Sequence, residues 1–341
     1  MQLTFTIFSD LHYKKGMYAA TVDDLTEIFS RAEKNGSQFV IHLGDLCNDY
    51  KGSPELVNAY LKNKQGLPVY GLYGNHELEA NNSMEDVTPL LTNDQSVVWG
   101  TEDGSLDPKT AYYYKDIEGF RLIFTDSNYS LTPEGEFEHN RTGSWGPPSE
   151  NTGANCLSDK QFAWLRAVLF DGADKGLKCI VLSHAAFAEG FSYSTDSEKV
   201  RNLLNEVNGY KKGTVIAAIN GHWHANAHEI KDNILYFNIN SAKNGCWLPV
   251  KEPHYLPEHT SLFIDFDAEE SHIVCSIFTS VEVVFANACS KDNNVKSVHI
   301  SAVATDVTAN LVIQNLKSKF STLVAFSCSL TNVTKVRQTA C

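Results

Sequence analysis

The chain lacks any hydrophobic run near the roughly 18 residues of a membrane span, so no segment reads as a spanning helix. It lacks a basic stretch ahead of its first apolar run. Met1 to Phe8 leads straight into Ser9 and Asp10, which is not the pattern of a signal peptide. The expected compartment is cytoplasmic for the chain as it stands, and secreted if a leader has been removed. Positive charge is also scarce: 28 Lys and Arg against 41 Asp and Glu give a net charge of −13. That balance argues against a nucleic-acid backbone binder, whose affinity comes from Lys and Arg on phosphates. It leaves room for a small phosphorylated substrate, because bound cations reverse the local field. None of the eight cysteines forms a C-x-x-C pair, which argues against a thiolate zinc site. Their scatter is not that of a disulfide scaffold, and Cys179, inside an apolar run, reads as a buried small hydrophobe. There is no internal repeat, no H-E-x-x-H helix and no H-x-H-x-D-H run.

What is present is a globular composition. Hydrophobic residues make up 43% of 341, enough to fill a large core with one main domain and a smaller segment. Apolar runs alternate with amphipathic stretches. Strands are expected at Leu3–Phe8, Phe39–Leu43, Pro68–Tyr73, Cys179–Leu182 and Val215–Ile219. Helices are expected at Thr21–Lys34, Ser53–Lys64, Ser83–Leu91, Ser158–Phe170 and Thr195–Val207. The last two carry Ser158/Gln161 and Thr195/Glu198 capping boxes, and Gly172 stands ready to end the fourth. Tyr112–Lys115 and Arg121–Thr125 read as a hairpin around Glu118-Gly119. Residues 127–155 show no periodicity and read as a lid or insert. From residue 281 the texture is β-rich, so residues 1–280 are taken as the main domain and 281–341 as an appendix, or as strands completing a sheet.

Five short sequences stand directly after five of these strands. They are Asp10-Leu11-His12, Gly44-Asp45, Gly74-Asn75-His76-Glu77, Ser183-His184 and Gly221-His222-Trp223-His224. In α/β sheets ligands bind beyond the carboxyl ends of strands, so the five loops are expected to converge. Carboxylate, amide oxygen and imidazole are the donor set for Mn, Fe or Zn. The D-x-H and H-x-H spacings place two ligands on one side of an extended segment. The glycines before Asp45, Asn75 and His222 are expected to make tight turns. A carboxylate can bridge two cations, and two cations about 3.5–4 Å apart can share a hydroxide that attacks phosphorus in line.

In this order the motifs resemble the calcineurin-like metallophosphoesterase superfamily, over roughly Thr4 to Phe266. The resemblance implies a four-layer αββα sandwich with two central mixed sheets, plus the small β-rich C-terminal segment. It implies a hydrolase of phosphate esters with two metal ions (Mn, Fe or Zn). Asp10, His12 and His224 would hold one ion, Asn75, His184 and His222 the other, and Asp45 would bridge. His76 would lie near the leaving group, as proton donor or transition-state stabiliser. Purple acid phosphatases place a tyrosine ligand three residues after the bridging aspartate. Asn48 stands there, so no tyrosinate colour is expected. The signature is more similar to the class of cyclic-nucleotide and glycerophospho-diesterases. The run Asn240–Trp247, then His254-Tyr255, resembles bacterial members.

A phosphodiesterase on small substrates is therefore the leading expectation. A phosphomonoesterase or nucleotide pyrophosphatase is the alternative, and a non-catalytic metal-stabilised binding module the third. Candidate substrate contacts are Asn48, Arg141, Trp145, His254 and Tyr255. Arg141 suits a phosphate oxygen and Trp145 a base; Tyr129 and His139 lie in the same aperiodic stretch. Glu77 is expected to cap the turn that follows it. His42 reads as a satisfied core histidine, and Cys47 as packing.

Overall fold

A strand of alternating side chains opens the chain because Leu3, Phe5 and Ile7 all find the same interior. This is β1 (Gln2–Phe8), followed by α1 (Val22–Lys34), β2 (Phe39–His42), α2 (Pro54–Asn63), β3 (Val69–Gly71), α3 (Asn75–Leu78) and α4 (Met84–Val87). The middle of the chain forms β4 (Val98–Trp99), β5 (Tyr113–Ile117), β6 (Phe120–Phe124), β7 (Tyr129–Leu131) and β8 (Phe137–His139). It continues with α5 (Asp159–Lys175), β9 (Lys178–Ser183), α6 (Ser197–Tyr210), β10 (Val215–Asn220), β11 (Ala227–Lys231) and β12 (Ile234–Asn238). Six further strands are β13 (Ser261–Asp267), β14 (His272–Phe278), β15 (Val281–Cys289), β16 (Val295–Ala304), β17 (Val307–Gln314) and β18 (Val336–Thr339). The computed structural model describes residues 2–14, 20–48, 50–78, 84–107, 110–139, 155–188, 194–224, 227–239 and 241–242, and the backbone of β13 to β18.

Two mixed sheets result. The first has the order β18-β17-β16-β15-β14-β13-β1-β2-β3, the second β11-β12-β10-β9-β6-β5-β4. β1, β2 and β3 run parallel, as do β6, β9, β10 and β12. β13 to β17 extend the first sheet antiparallel from β1, with no break in pairing at residue 280.

Alternation along the second sheet shows the layers. Leu122, Phe124, Ile180, Leu182, Ala217 and Ile219 face the core shared with the first sheet and α1. Ile123, Cys179, Val181 and Ala218 face the core shared with α5 and α6. The molecule is thus helices, sheet, sheet, helices. Across the middle, Tyr70 of β3 meets Phe124 of β6 with centroids 6.0 Å apart. The Tyr113 hydroxyl of β5 donates to the Gly71 carbonyl at 2.8 Å.

Local chemistry explains the helix ends, with some differences from expectation. Thr21 and Asp24 cap α1 reciprocally. Ser158 Oγ accepts from Gln161 N at 3.2 Å, but the Gln161 amide turns away to clamp the backbone of Asp126. α5 passes through Gly172, where a Cβ would lie 2.7 Å from Cys179 Sγ, and ends three residues later at Lys175. The Thr195/Glu198 box does not form. α6 begins at Ser197, and the Asp196 carboxylate instead accepts from Leu157 N at 2.8 Å. The aperiodic stretch begins with a hairpin, β7–β8, too short for periodicity to reveal. Its remaining residues 140–154, with Arg141 and Trp145, lie outside the described residues, as do His254 and Tyr255.

His42, 1% exposed, is a core histidine with both ring nitrogens used. Nε2 donates to Leu90 O at 3.2 Å, and Nδ1 accepts from Gly44 N at 3.3 Å. That pairing requires a neutral ring. Burial, with the charges of Lys64 and His184, pushes His42 down from 6.5 to about 4. The unfolded chain takes this proton at higher pH than the folded one. The stability His42 allows is therefore complete above pH 6.5 and is lost as pH falls through about 4. Unfolding in urea at pH 7 and pH 4.5 should show the wild type losing roughly 2–3 kcal/mol more than His42→Gln. Equal losses would mean the ring is not held neutral.

Candidate metal centre

β1, β2 and β3 end side by side in one sheet, and β9 and β10 end side by side in the other. Their carboxyl ends open on the same edge of the sandwich. The five loops meet there, three from one sheet and two from its partner rather than from five neighbours.

The loops are not extended. Asp10, His12, Asp45, His222 and His224 have φ of 54°, 51°, 53°, 71° and 52°, all in the left-handed region. Non-glycine residues held there cost about 1–3 kcal/mol each and persist only where surroundings over-determine them. Here Asp10 N donates to Gly44 O at 3.1 Å, and His12 N donates to Asp45 O at 2.9 Å. Ser241 Oγ donates to Asp10 O at 2.6 Å. The expectation of alternation along an extended D-x-H segment is corrected: two left-handed residues flanking one other aim both side chains inward. The expectation for the glycines also narrows. Gly44 does take φ 91°, whereas Gly74 is needed because a Cβ would lie 2.1 Å from Asp45 Oδ1.

The donor atoms fall into two sets. In the first, His12 Nε2 lies 2.8 Å from His224 Nε2, and Asp10 Oδ1 lies 3.2 Å from His224 Nε2 and 3.6 Å from His12 Nε2. In the second, His184 Nε2 lies 3.1 Å from Asn75 Oδ1 and 3.1 Å from His222 Nδ1. Asp45 Oδ2 stands between, 3.5 Å from His12 Nε2 and 3.3 Å from His184 Nε2. Donors about 2.1 Å from a common cation lie about 3.0–3.4 Å from one another, so both sets fit an ion.

The tautomers fit as well. His184 Nδ1 donates to Leu43 O at 2.6 Å, and His12 Nδ1 donates to Asn48 Oδ1 at 2.7 Å. Each leaves an Nε2 lone pair for the centre, the usual outer-partner arrangement of a metal-binding histidine. With its Nδ1 committed to Asn48, His12 Nε2 is left to accept from His224 Nε2, 2.8 Å away, or to share a cation with it. Asn48, expected to face substrate, is placed behind His12 instead.

The charges of the ligand side chains themselves tell the same story. Burial lowers His184, but Asp45 and Asp10 outweigh it and lift the ring to about 10. Burial raises Asp10 and Asp45, yet the surrounding imidazoles hold both below the usual carboxylate range. His222 is pushed down to about 3 by burial and by the His184 charge. The cluster thus gathers positive charge around two carboxylates.

His76 is partly open, its side chain 25% exposed against 2% for Asp45, with Nε2 3.9 Å from Asp45 Oδ2. Among the described residues, Glu77 acts between the ligand loops rather than on the turn that follows it. Its carboxylate, 0% exposed, accepts from Asp45 N at 2.8 Å, Leu46 N at 2.9 Å, Gly74 N at 2.6 Å and the Tyr50 hydroxyl. Burial and the Asp45 charge push it up to about 7. It ties the loop after β2 to the loop after β3. Nothing in a G-N-H-E string shows that three amides from two loops will converge on its last residue.

The profile of the calcineurin-like phosphoesterase family matches residues 3–226. The chain belongs to that family. It is a hydrolase acting on phosphate esters, in a family dependent on dinuclear metal centres. Among curated proteins, none matches the chain. Among solved structures it is similar to a dimetal phosphatase from Danio rerio, at 16% identity and a TM-score of 0.58, covering 81% of this chain and 95% of that one. It is also similar to the purple acid phosphatase PPD1 from yellow lupin seeds, at 13% identity and 0.48, covering 89% and 54%. At that identity the first likeness bears on the fold alone.

Proposed function

We propose that the protein hydrolyses small phosphate diesters at this centre, with Asp10, His12 and His224 holding one cation, Asn75, His184 and His222 the other, and Asp45 between them. The observation that carries the reading is the pair of donor sets joined by the Asp45 carboxylate. When bound, two such cations supply Lewis acidity and activate water at neutral pH. The donor set suits Mn, Fe or Zn.

The chain's own residues do the rest. Asp10 is kept as a one-atom donor because its Oδ2 accepts from His222 N at 2.9 Å, leaving Oδ1 for the centre. Asp45 Oδ1 likewise accepts from His76 N at 2.9 Å. That bond sets the His76 ring at the open side, where it can donate to the leaving oxygen. Preference for a diester is supported by charge. Residues 9–13, 43–48, 72–78, 183–188 and 221–224 contain no lysine or arginine. A singly charged diester asks less of such a site than a doubly charged monoester. The same reading takes residues 1–280 as the catalytic domain and 281–341 as a β-rich appendix.

The test uses metal-stripped protein with added Mn²⁺, bis-p-nitrophenyl phosphate, p-nitrophenyl phosphate and an Asn75→Ala control. Manganese-dependent turnover that favours the diester and is lost in the control is expected. Faster cleavage of the monoester would move the assignment to a phosphomonoesterase. Full metal occupancy with neither ester cleaved would overturn it.

A further inference from the structure

β6 ends one strand along from β9, so residues 125–128 form another loop at the ligand edge. Thr125 N donates to Leu182 O at 2.8 Å. Ala185 N, next to His184, donates to Ser127 Oγ at 3.0 Å. Asn128 Nδ2 donates to Tyr73 O at 2.9 Å, two residues before Asn75. This loop therefore touches the segments carrying both Asn75 and His184.

At its centre is Asp126, 0% exposed. Gln161 clamps its backbone from both sides, at 2.8 Å to N and 2.7 Å to O. Oδ1 accepts from Asn128 N at 3.1 Å and Asn128 Nδ2 at 2.9 Å. Oδ2 faces His139 Nε2 at 2.8 Å. His139 comes from β8, and its ring lies on Tyr129 with centroids 4.2 Å apart. Tyr129 and Cys156 exchange backbone hydrogen bonds at 3.3 Å and 3.0 Å, closing the neck of the segment between them.

The imidazole is thus fixed by a carboxylate, an aromatic face and a closed neck. Asp126 keeps the hydrogen on Nε2. Nδ1 has no hydrogen-bond partner among the described residues, and the side chain keeps 12% exposure. A buried carboxylate–imidazole pair is a poor way to staple a hairpin, because desolvation offsets the attraction. It is a good way to present the second ring nitrogen in one orientation, as a carboxylate does for a general-base histidine. The ligand loops bring no lysine or arginine, which leaves a cationic contact to the substrate's phosphate to be supplied from elsewhere.

We propose that His139, as the imidazolium paired with the Asp126 carboxylate, is a substrate contact that donates from Nδ1 to a phosphate oxygen on the Asn75–His184 side, and that Asp126 is its positioning residue. This rests on the phosphoester reading above.

The experiment compares manganese-loaded wild type, His139→Ala and Asp126→Asn. It measures inorganic phosphate binding by calorimetry, kcat and KM on bis-p-nitrophenyl phosphate, metal content, and recovery on adding imidazole. His139→Ala should weaken phosphate binding and lower kcat/KM by roughly 10–100-fold at unchanged metal content, with partial recovery in imidazole. Asp126→Asn should lose less. Phosphate affinity and kcat/KM equal to wild type would overturn the proposal, as would a loss that imidazole leaves untouched, which makes His139 a staple. If His139→Ala does not fold, Asp126→Asn decides: wild-type phosphate affinity there overturns the proposal. A wild type that binds phosphate but cleaves neither ester defeats the hydrolytic reading alone, and the affinity comparison still decides His139.

Discussion

Asp45→Asn should lower kcat/KM by about 10³-fold or more, beyond the 10–100-fold typical of losing an outer partner, and should shed metal from both sets. The substitution is nearly isosteric. Its amide oxygen can still accept from His76 N, the bond Asp45 Oδ1 makes at 2.9 Å, so the loop has no reason to move. What disappears is the negative charge on the atom 3.5 Å from His12 and 3.3 Å from His184. That atom lies within 3.5 Å of a donor from each set, so one substitution should cost two ions. The apo protein offers a second readout. Asp45 is the foremost of the charges that raise His184 to about 10, so the variant's His184 should titrate well below that in metal-free NMR spectra. A variant that keeps both ions and turns over normally would remove Asp45 from between them.

The ligand residues were legible because each strand ends in a polar string that no apolar core explains. Ile7 to Asp10, Ile41 to Asp45 and Ile219 to His222 pass from buried aliphatic to polar side chains within four residues. The layering was legible for a related reason. Strands such as Cys179-Ile180-Val181-Leu182 are apolar on both faces, which requires cover on both sides. What could not be read is the conformation that aims the ligands. Left-handed φ at five non-glycine residues contradicts local preference and is imposed by long-range bonds such as Asp10 N to Gly44 O. Side-chain partners across sequence were equally hidden. Gln161 looks like half of a capping box, but it serves Asp126, and Asn48 looks free for substrate, but it orients His12. Pattern reveals which residues leave the core; tertiary contact decides what they then touch.

Glu77 is where that difference has the largest consequence for stability. Glu77→Ala leaves three buried amides, from Asp45, Leu46 and Gly74, and the Tyr50 hydroxyl without their acceptor. Each buried donor left unsatisfied costs about 1–3 kcal/mol. Relaxation and water entry keep such terms from adding fully, so about 4–6 kcal/mol is expected in urea unfolding. That approaches the whole stability of many domains, roughly 5–15 kcal/mol. Glu77→Gln retains the volume and one carbonyl oxygen but turns an NH₂ group toward donors, and should lose about half as much. The gentler variant is the informative one for the centre. If Glu77 fixes the distance between the loops of Asp45 and Asn75, Glu77→Gln should weaken manganese binding by about 10–100-fold while every ligand remains. A residue that merely capped the next turn would cost about 1 kcal/mol and leave metal affinity alone. The two accounts therefore separate in both measurements. A small loss of stability with unchanged manganese affinity would return Glu77 to the role its sequence first suggests.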